Sequence, residues 1–277
     1  MKPLLAFHLH WLAFTCAVLA VVIERSFVTS KHERRVALVA LVTLLVVVVW
    51  PVGDVAATVS LTVATLQRLV IMLLVAPLLL LSTPTALLVR LTRPRLVDGA
   101  VQFLSHPGVA MAFVTVIGTA TLTTPVVDWG ASSSLARGMV LIAVLVAGVV
   151  LWIPGLAIMP GTRRLSPVAR AGYIFASSLV VTSLSFVWIF SRHSLYPDLH
   201  HQHALLHMTP LLDQQLAGFV AKFACYIPMW AVAFTIFARA DETSTTEESP
   251  LHWADVERQL LRVDRQRERS SRRELRE

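Results

Sequence analysis

The sequence predicts an all-α polytopic membrane protein of about seven transmembrane helices, with its N-terminus outside and a cytoplasmic C-terminal helix. Of its 277 residues, 56% are hydrophobic and only 15% are charged, and the mean hydropathy is +0.68. A soluble domain of this size carries more charge, because most of its surface faces water. The apolar residues also gather in long stretches with basic residues between them, which is typical of a chain that crosses a membrane repeatedly.

Seven apolar stretches reach spanning length, which is about 20 helical residues across about 30 Å of hydrocarbon. They lie near 4–24, 36–52, 61–82, 108–127, 138–158, 171–191 and 214–238. The second is short and ends at Trp50 and Pro51, because proline lacks the backbone N–H that continues a helix. Together they predict one transmembrane domain over residues 1–240.

The lysines and arginines between these stretches predict the orientation. The first, third and fifth connections are basic, whereas the others contain almost no lysine or arginine. The basic residues are Arg25, Lys31, Arg34 and Arg35, then Arg90, Arg93 and Arg95, then Arg163, Arg164 and Arg170. Because basic loops stay in the cytoplasm, the even connections are predicted to face outward from a bacterial inner membrane. A cleaved signal peptide over residues 1–20 would place the arginine-rich third connection outside, against this rule.

The C-terminal residues are predicted to leave the membrane on the cytoplasmic side. Residues 241–249 have the composition of a polar linker, and residues 250–277 that of a charged helix. Ser249 suits the N-cap position and Pro250 the first helical position. Acidic and basic residues three and four apart support this helix, which is either solvated or docked on a partner or on anionic lipid.

Several function classes are disfavoured by composition and motifs. The net charge of +7 and the pI near 10.2 come from topological loops and the tail, so they do not indicate nucleic-acid binding. The two cysteines, Cys16 and Cys225, are far apart and form no metal-binding motif. No phosphate-binding glycine loop and no set of nucleophile, base and orienting residue is present, so the sequence does not indicate an enzyme.

The predicted sixth, outward-facing connection is rich in histidine. It contains His193, His200, His201, His203 and His207, followed by Met208. His203 and His207 are four apart, so on a helical turn they would share one face, and imidazole with a thioether suits copper. His8 and His10 lie at the same predicted side of the membrane and are candidates to join them. The alternative is that these histidines are polar loop and interface residues without a ligand.

Two basic residues are predicted to lie inside the membrane, where charge is costly and therefore informative. Arg68 is about two turns below the outer end of the third stretch, and Lys222 is at a similar depth in the seventh. The acids predicted near that depth are Asp54, Asp128 and Asp213. We expect either a structural ion pair, such as Arg68 with Asp213 or Asp54, or a polar outer cavity that receives an ion or a partner.

Four segments resemble the CtaG-type cytochrome c oxidase assembly proteins of bacteria. They are PVGDVAATVSLTVATLQRLVIMLLVAPLLLLSTP at 51–84, TTPVVDW with LVAGVVLW at 123–152, SPVARAGYIF at 166–175 and LLDQQLAG at 211–218. The last is the most specific. The residues that match the family's pattern are Asp54, Gln67, Pro77, Pro84, Pro125, Asp128, Asp213, Gln214, Gln215 and Gly218.

The resemblance implies a role in maturing haem-copper oxidases, at the stage of copper delivery on the outer face. It also implies histidines within the membrane, and here this chain departs from the pattern: Ala64 and Arg68, Thr123, Ala221 and Lys222 occupy family positions of other residues. Fixed positive charge repels a copper cation, so the connection from His200 to Met208 is the better copper candidate.

The sequence therefore predicts an assembly factor or accessory subunit of a haem-copper cytochrome c oxidase, with membrane lipids and oxidase subunits as partners and copper as a candidate cargo. A small copper or ion transporter that uses the polar cavity is the alternative, along with a purely structural membrane scaffold. A bis-histidine haem protein would need histidines facing each other deep in two helices, and only His8 and His10 lie in a predicted span.

Overall fold

The computed structural model describes residues 30–48, 52, 53, 56, 60–162, 165–196 and 208–247, and the elements within these ranges are helices. The predicted first span, the connection from residue 197 to His207 and the charged tail lie outside the described residues. The helices are α1 Lys31–Val48, α2 Leu61–Ser82, α3 Thr85–Thr92, α4 Arg95–Leu104, α5 Pro107–Ala120, α6 Thr124–Ser132, α7 Ser134–Leu156, α8 Pro167–Val181, α9 Leu184–Phe190 and α10 Pro210–Glu247.

Four helical stretches in the described part of the chain are long and apolar enough to cross a membrane. They are Leu61–Ser82, Ser134–Leu156, Pro167–Phe190 and Pro210–Ala240, and each overlaps a predicted span. The pair α4 and α5 adds a fifth if it is counted as one broken span, since the two helices meet at an angle of 92°. Such long apolar helices are expected of spanning segments. Within the membrane a chain must satisfy its backbone hydrogen bonds internally and present apolar side chains to lipid.

The remaining predicted spans differ in their bounds. Helix α1 covers Lys31–Val48, so it begins five residues before the predicted stretch at 36 and includes its basic first turn. The predicted span 108–127 is instead divided between α5, which ends at Ala120, and α6, which begins at Thr124. Proline at the second position of α6 explains the restart, because it fits the first turn of a helix and not its interior.

The span 167–190 is interrupted between α8 and α9 by hydroxyl side chains that bind backbone carbonyls. Thr182 Oγ1 donates to the carbonyl of Ser178 at 2.8 Å, and Ser185 Oγ donates to the carbonyl of Thr182. Such local bonds compete with the helical ladder and bend helices. After the break, α9 packs against α10.

Helix α2 contains a π-helical turn at Ile71–Val75. In this turn each carbonyl pairs with the N–H five residues ahead, so Met72 would pair with residue 77, which is Pro77 and has no N–H. The indole Nε1 of Trp152 in α7 donates to the Met72 carbonyl at 3.0 Å instead. Gly148 permits this contact, because a Cβ there would lie 2.8 Å from Met72 Cα and from Ala76 Cβ.

At the C-terminal end of α7, close to Trp152, a side chain of α8 donates hydrogen bonds to the last backbone carbonyls of the helix. Arg170 Nε donates to the carbonyl of Gly155 at 2.9 Å, and Arg170 Nη2 to that of Leu156 at 3.4 Å. A cation suits this place, because the last carbonyls of a helix form the negative end of its dipole. The bond joins the two ends of the connection between α7 and α8.

Helix α4 packs little of its surface against the rest of the chain. None of its residues is buried, and Leu96 and Phe103 are 89% and 66% exposed. Its apolar residues lie on one face, next to the exposed Arg90, Arg93 and Arg95. A short amphipathic helix with flanking basic residues, set at 92° to the following helix, is typical of the membrane interface.

Candidate functional site

The carboxylate of Asp213, in the first turn of α10, binds the N-terminus of α2. Its oxygens accept hydrogen bonds from Leu61 N at 2.7 Å and Thr62 N at 3.2 Å. They also accept from the hydroxyls of Ser60 at 2.8 Å and Thr62 at 2.7 Å. Asp213 is only 2% exposed, so these four donors replace the water that a carboxylate otherwise needs.

This contact is a helix cap provided by a distant part of the chain. The first N–H groups of a helix have no partner within it, and they form the positive end of the helix dipole. Ser60 provides a local cap as well, since its Oγ accepts from Val63 N at 3.3 Å. The carboxylate of Asp213 therefore satisfies donors of α2 and holds the start of α10 against the start of α2.

The two glutamines after Asp213 hold residues 191–196, the segment that follows α9. The Oε1 atom of Gln214 accepts from Leu195 N at 2.7 Å, and its Nε2 donates to the carbonyl of His193 at 3.5 Å. Gln215 Nε2 donates to the carbonyl of Ser191 at 3.3 Å. Gln214 is 1% exposed, so its side chain holds this segment through hydrogen bonds that are shielded from solvent.

Gly218 completes the motif by allowing α10 to approach α9 closely. A Cβ at this position would lie 2.7 Å from Ile189 Cγ1 and 2.9 Å from the carbonyl oxygen of Ser185. Small residues at such crossings let helix backbones approach each other. Each polar residue of the LLDQQLAG motif, and its glycine, thus has a structural role at this end of the bundle. We name these residues, with their partners at 60–62 and 191–196, the Asp213 network.

Tyr196 joins the Asp213 network to α5 and α6. Its hydroxyl donates to the carbonyl of Leu122 at 2.5 Å, and Thr124 Oγ1 donates to the carbonyl of Leu195 at 3.0 Å. Burial raises the pKa of Tyr196 to about 12, while Trp188 and the charge of Arg68 act in the opposite direction. The phenol therefore stays neutral and keeps its donor at physiological pH.

Arg68 does not pair with Asp213, so the predicted ion pair between them is wrong. The carboxylate of Asp213 is taken by the backbone and hydroxyls of α2, as described above. Arg68 lies two turns further along α2, and its Nη1 atom is buried without a hydrogen-bond partner. It lines two cavities, one of about 40 Å³ and one of about 70 Å³.

Lys222 lies among aromatic rings, away from both cavities. Its Nζ atom is 3.4 Å from the ring centroid of Phe186 and donates to the hydroxyl of Tyr226 at 3.0 Å. A cation over an aromatic face is attracted by the ring's negative centre, which offsets part of its desolvation cost. Arg68, Asp213 and Lys222 thus have different surroundings in the structure, whereas a shared polar cavity was one of the two arrangements expected from the sequence.

The other predicted site residues fall into two groups. Among the described residues, Gln67 donates to the carbonyl of Val47 at 2.8 Å, which ties α2 to α1. Pro84 and Pro125 lie at the starts of α3 and α6, and Asp128 is half-buried in α6. Met208 precedes α10. Outside the described residues lie His8, His10, Asp54, His200, His201, His203 and His207.

The described residues contain no cluster of three or more His, Cys, Asp or Glu side chains. A pair of soft ligands, Cys225 Sγ and Met229 Sδ, lies 3.5 Å apart on one face of α10 in the apolar core. The positive charge of Arg68 disfavours a cation in the two cavities that it lines.

Sequence reasoning missed two features of this region. One is the cap of α2, although Ser60 before an apolar run is a recognised N-cap signal. The other is the bond from Trp152 to the π-turn. Pro77 in the middle of a spanning stretch was a signal for the π-turn, because it leaves a carbonyl in need of a donor.

A model of the cytochrome c oxidase caa3 assembly factor family matches residues 12–241 of this chain. The chain belongs to this family. The match covers all of α1 to α9 and α10 up to residue 241, so it includes the Asp213 network and both cavities. It confirms the resemblance inferred from the sequence. No curated protein and no solved structure matches the chain.

Membership explains why the site holds no catalytic set. The family comprises assembly factors for cytochrome c oxidase and not catalytic enzymes. In this member of the caa3 assembly factor family, the residues of the LLDQQLAG motif bind backbone atoms of α2 and of residues 191–196. Their chemistry is that of a scaffold that fixes helix ends.

Proposed function

We propose that this protein assists the assembly of a haem-copper cytochrome c oxidase, or remains with it as an accessory subunit, in a bacterial cytoplasmic membrane. The observation that carries the proposal is the family match over residues 12–241. The geometry supports a docking scaffold: the Asp213 network ties α2, α5, α6, α9 and α10 together at one end of the bundle. A surface fixed in this way loses little conformational entropy when a partner binds.

The Asp213 network is proposed to face outward. The seven-span arrangement with an external N-terminus puts the starts of α2 and α10 on that side, because the cationic connections stay in the cytoplasm. In support, Arg90, Arg93 and Arg95 lie beside the interfacial helix α4, and Arg170 lies at the opposite end of α7 from Ser134. A reporter enzyme that folds to an active form only outside the cytoplasm, fused after Leu206, is expected to be active. A fusion that is produced stably but is inactive contradicts the orientation.

Copper handling is proposed for the histidine-rich connection that precedes Met208. Both of its flanks belong to the Asp213 network: Tyr196 is bonded to Leu122, and the N–H of Asp213 donates to the carbonyl of Thr209 at 3.0 Å. The connection is therefore attached next to the proposed docking surface. Imidazole and thioether groups suit Cu⁺, whose delivery to an oxidase requires a site on the same side of the membrane.

Copper content after reconstitution tests this part. Purified protein is expected to retain copper, and His203→Ala with His207→Ala is expected to lose most of it. His32→Ala, on the predicted cytoplasmic side, is the matched control and is expected to bind as wild type does. Equal copper in the double variant and wild type contradicts the assignment, and the scaffold role then stands without copper.

The scaffold role is tested by mild-detergent purification of a tagged chain from its own membranes. We expect core subunits of the oxidase to co-purify, in near-equal amount for an accessory subunit and in a small fraction for a transient assembly factor. The transporter alternative predicts flux of copper or another ion into proteoliposomes and no association with the oxidase. Recovery of no oxidase subunit, together with flux, contradicts the proposal.

A further inference from the structure

The larger cavity at Arg68 lies between α2, α5, α7, α8, α9 and α10 and has a volume of about 70 Å³. Most of its lining is apolar, and we name it the Arg68 cavity. Its polar lining residues are Arg68, Thr65, Thr121, Thr182 and Ser185. An apolar cavity with a charged group in its wall is unusual, because the charge loses its hydration.

Two polar atoms in this lining, Arg68 Nη1 and Thr65 Oγ1, are buried without a hydrogen-bond partner. Thr65 is only 4% exposed as a whole residue. Buried polar atoms without partners are rare, since each costs about 1–3 kcal/mol, and two around one cavity call for an occupant.

The other hydroxyls of the lining show that this is not a general property of the helices. Thr121, Thr182 and Ser185 all donate to backbone carbonyls within their own segments. The unpartnered atoms are thus one guanidinium nitrogen and one hydroxyl oxygen. A guanidinium can only donate and a hydroxyl can donate, so a single acceptor would serve both groups.

Charge identifies that acceptor as an anion. Among the residues that the structure describes, neither of the cavities that Arg68 lines has an aspartate or glutamate in its lining. A positive charge in a medium of low polarity is strongly stabilised by an anion, and much less by a neutral acceptor.

Volume restricts the size of the anion. One water molecule needs about 10–15 Å³ measured in this way, so the Arg68 cavity holds about five water-sized groups. Chloride, formate or acetate fits within it. A phospholipid with its acyl chains, a nucleotide or haem does not.

We propose that the Arg68 cavity binds one small monovalent anion, a halide or a short carboxylate, through Arg68 and Thr65. The proposal is independent of the function proposed above, since it rests only on the donors and volume of the cavity. Anion binding would neutralise Arg68 and so stabilise the packing of α2 against α7 and α9.

Thermal unfolding of the full-length protein in neutral detergent tests the proposal. Sodium gluconate, whose anion is too large for the cavity, is replaced by sodium chloride or sodium formate at constant ionic strength. The unfolding midpoint of the wild-type protein is expected to rise by about 3 °C, because a ligand that binds only the folded state stabilises it. Arg90→Gln changes an exposed arginine of α3 and is expected to show the same rise.

Variants of the donors separate anion binding from a structural role of Arg68. Arg68→Gln is expected to show no anion-dependent rise, and in gluconate its midpoint is expected to equal or exceed that of wild type, because no uncompensated charge remains. Thr65→Val keeps the shape and loses the hydroxyl, so the half-saturating anion concentration is expected to increase about 10-fold.

Line broadening of the chloride NMR signal measures binding directly and does not require that Arg68→Gln be folded. Broadening is expected with wild type, reversal by added formate, and a weaker effect with Thr65→Val. A wild-type midpoint that is the same in gluconate, chloride and formate overturns the proposal. So does an anion-dependent rise that persists in folded Arg68→Gln.

Discussion

The N-terminus of α2 and its π-turn have opposite deficits, and neighbouring helices correct them in different ways. At the N-terminus the backbone has donors without acceptors, and a buried carboxylate from α10 binds them. At the π-turn it has a carbonyl without a donor, and a neutral indole from α7 binds it. The first correction uses a charge and four hydrogen bonds, whereas the second uses one. The two contacts therefore differ in energy although both complete the same helix.

Among the substitutions that test this comparison, replacement of Asp213 is expected to lower the stability of the protein most. Asp213→Ala leaves the donors of Ser60, Leu61 and Thr62 without partners, and breaking a buried charged network costs about 3–5 kcal/mol. Asp128→Ala, which changes a half-buried acid of α6, is the control and is expected to change stability by about 0.5 kcal/mol or less. Thermal or denaturant unfolding in mild detergent measures both. A loss for Asp213→Ala no larger than that of the control contradicts the role of the carboxylate.

Gly148→Ala introduces a methyl group against the π-turn, and its loss of stability is expected to be the next largest. The added methyl group lies 2.8 Å from Met72 Cα and Ala76 Cβ, so α2 and α7 must separate. Such overpacking costs about 1–3 kcal/mol. Gly118→Ala is the matched control, because nothing lies within 4 Å of its new Cβ and alanine favours the helix. If the two variants are equally stable, the close contact inferred at Gly148 is contradicted.

Trp152→Phe isolates the single hydrogen bond at the π-turn. The Met72 carbonyl then has no donor, which is expected to cost about 1–2 kcal/mol. Adding Pro77→Ala restores a backbone N–H at position 77, and the double variant is expected to lose less stability than the sum of the single variants. Strict additivity of the two substitutions contradicts the idea that Trp152 replaces the missing N–H of Pro77.

Tyr196→Phe has the smallest expected effect, about 1 kcal/mol, from loss of the bond to Leu122. Because burial raises the pKa of Tyr196 to about 12, folding is favoured by the neutral phenol below the ordinary pKa of 10. That contribution decreases as the pH rises from 10 and is gone above 12. Unfolding midpoints between these pH values are expected to fall more steeply for wild type than for Tyr196→Phe. Parallel curves contradict this account of Tyr196.

The spanning helices were predictable because length and apolarity alone decide them. The stretches 61–82, 138–158, 171–191 and 214–238 were found within a few residues, since a helix without water has no alternative way to satisfy its backbone. The interruptions after Ala120 and at Thr182 were not, because they depend on where a hydroxyl or proline competes with the ladder. The predicted linker from residue 241 also begins within α10, which continues to Glu247.

At the site, charge alone suggested that Arg68 pairs with Asp213 or Asp54. The structure gives Asp213 other partners, because the start of α2 offers backbone donors as well as positive potential, and these lie 152 residues away in the chain. Contacts of that separation have no local pattern. The unpartnered hydroxyl at the Arg68 cavity is equally invisible, because Thr65 is an ordinary residue of an apolar helix until its surroundings are known.

The oxidase content of membranes that lack this protein tests its role most directly. The account predicts that deletion strongly lowers the haem absorbance of assembled cytochrome c oxidase, that the wild-type chain and Arg90→Gln restore it, and that Asp213→Ala restores it poorly. An oxidase spectrum that is unchanged by deletion would contradict the proposal that this protein assists oxidase assembly.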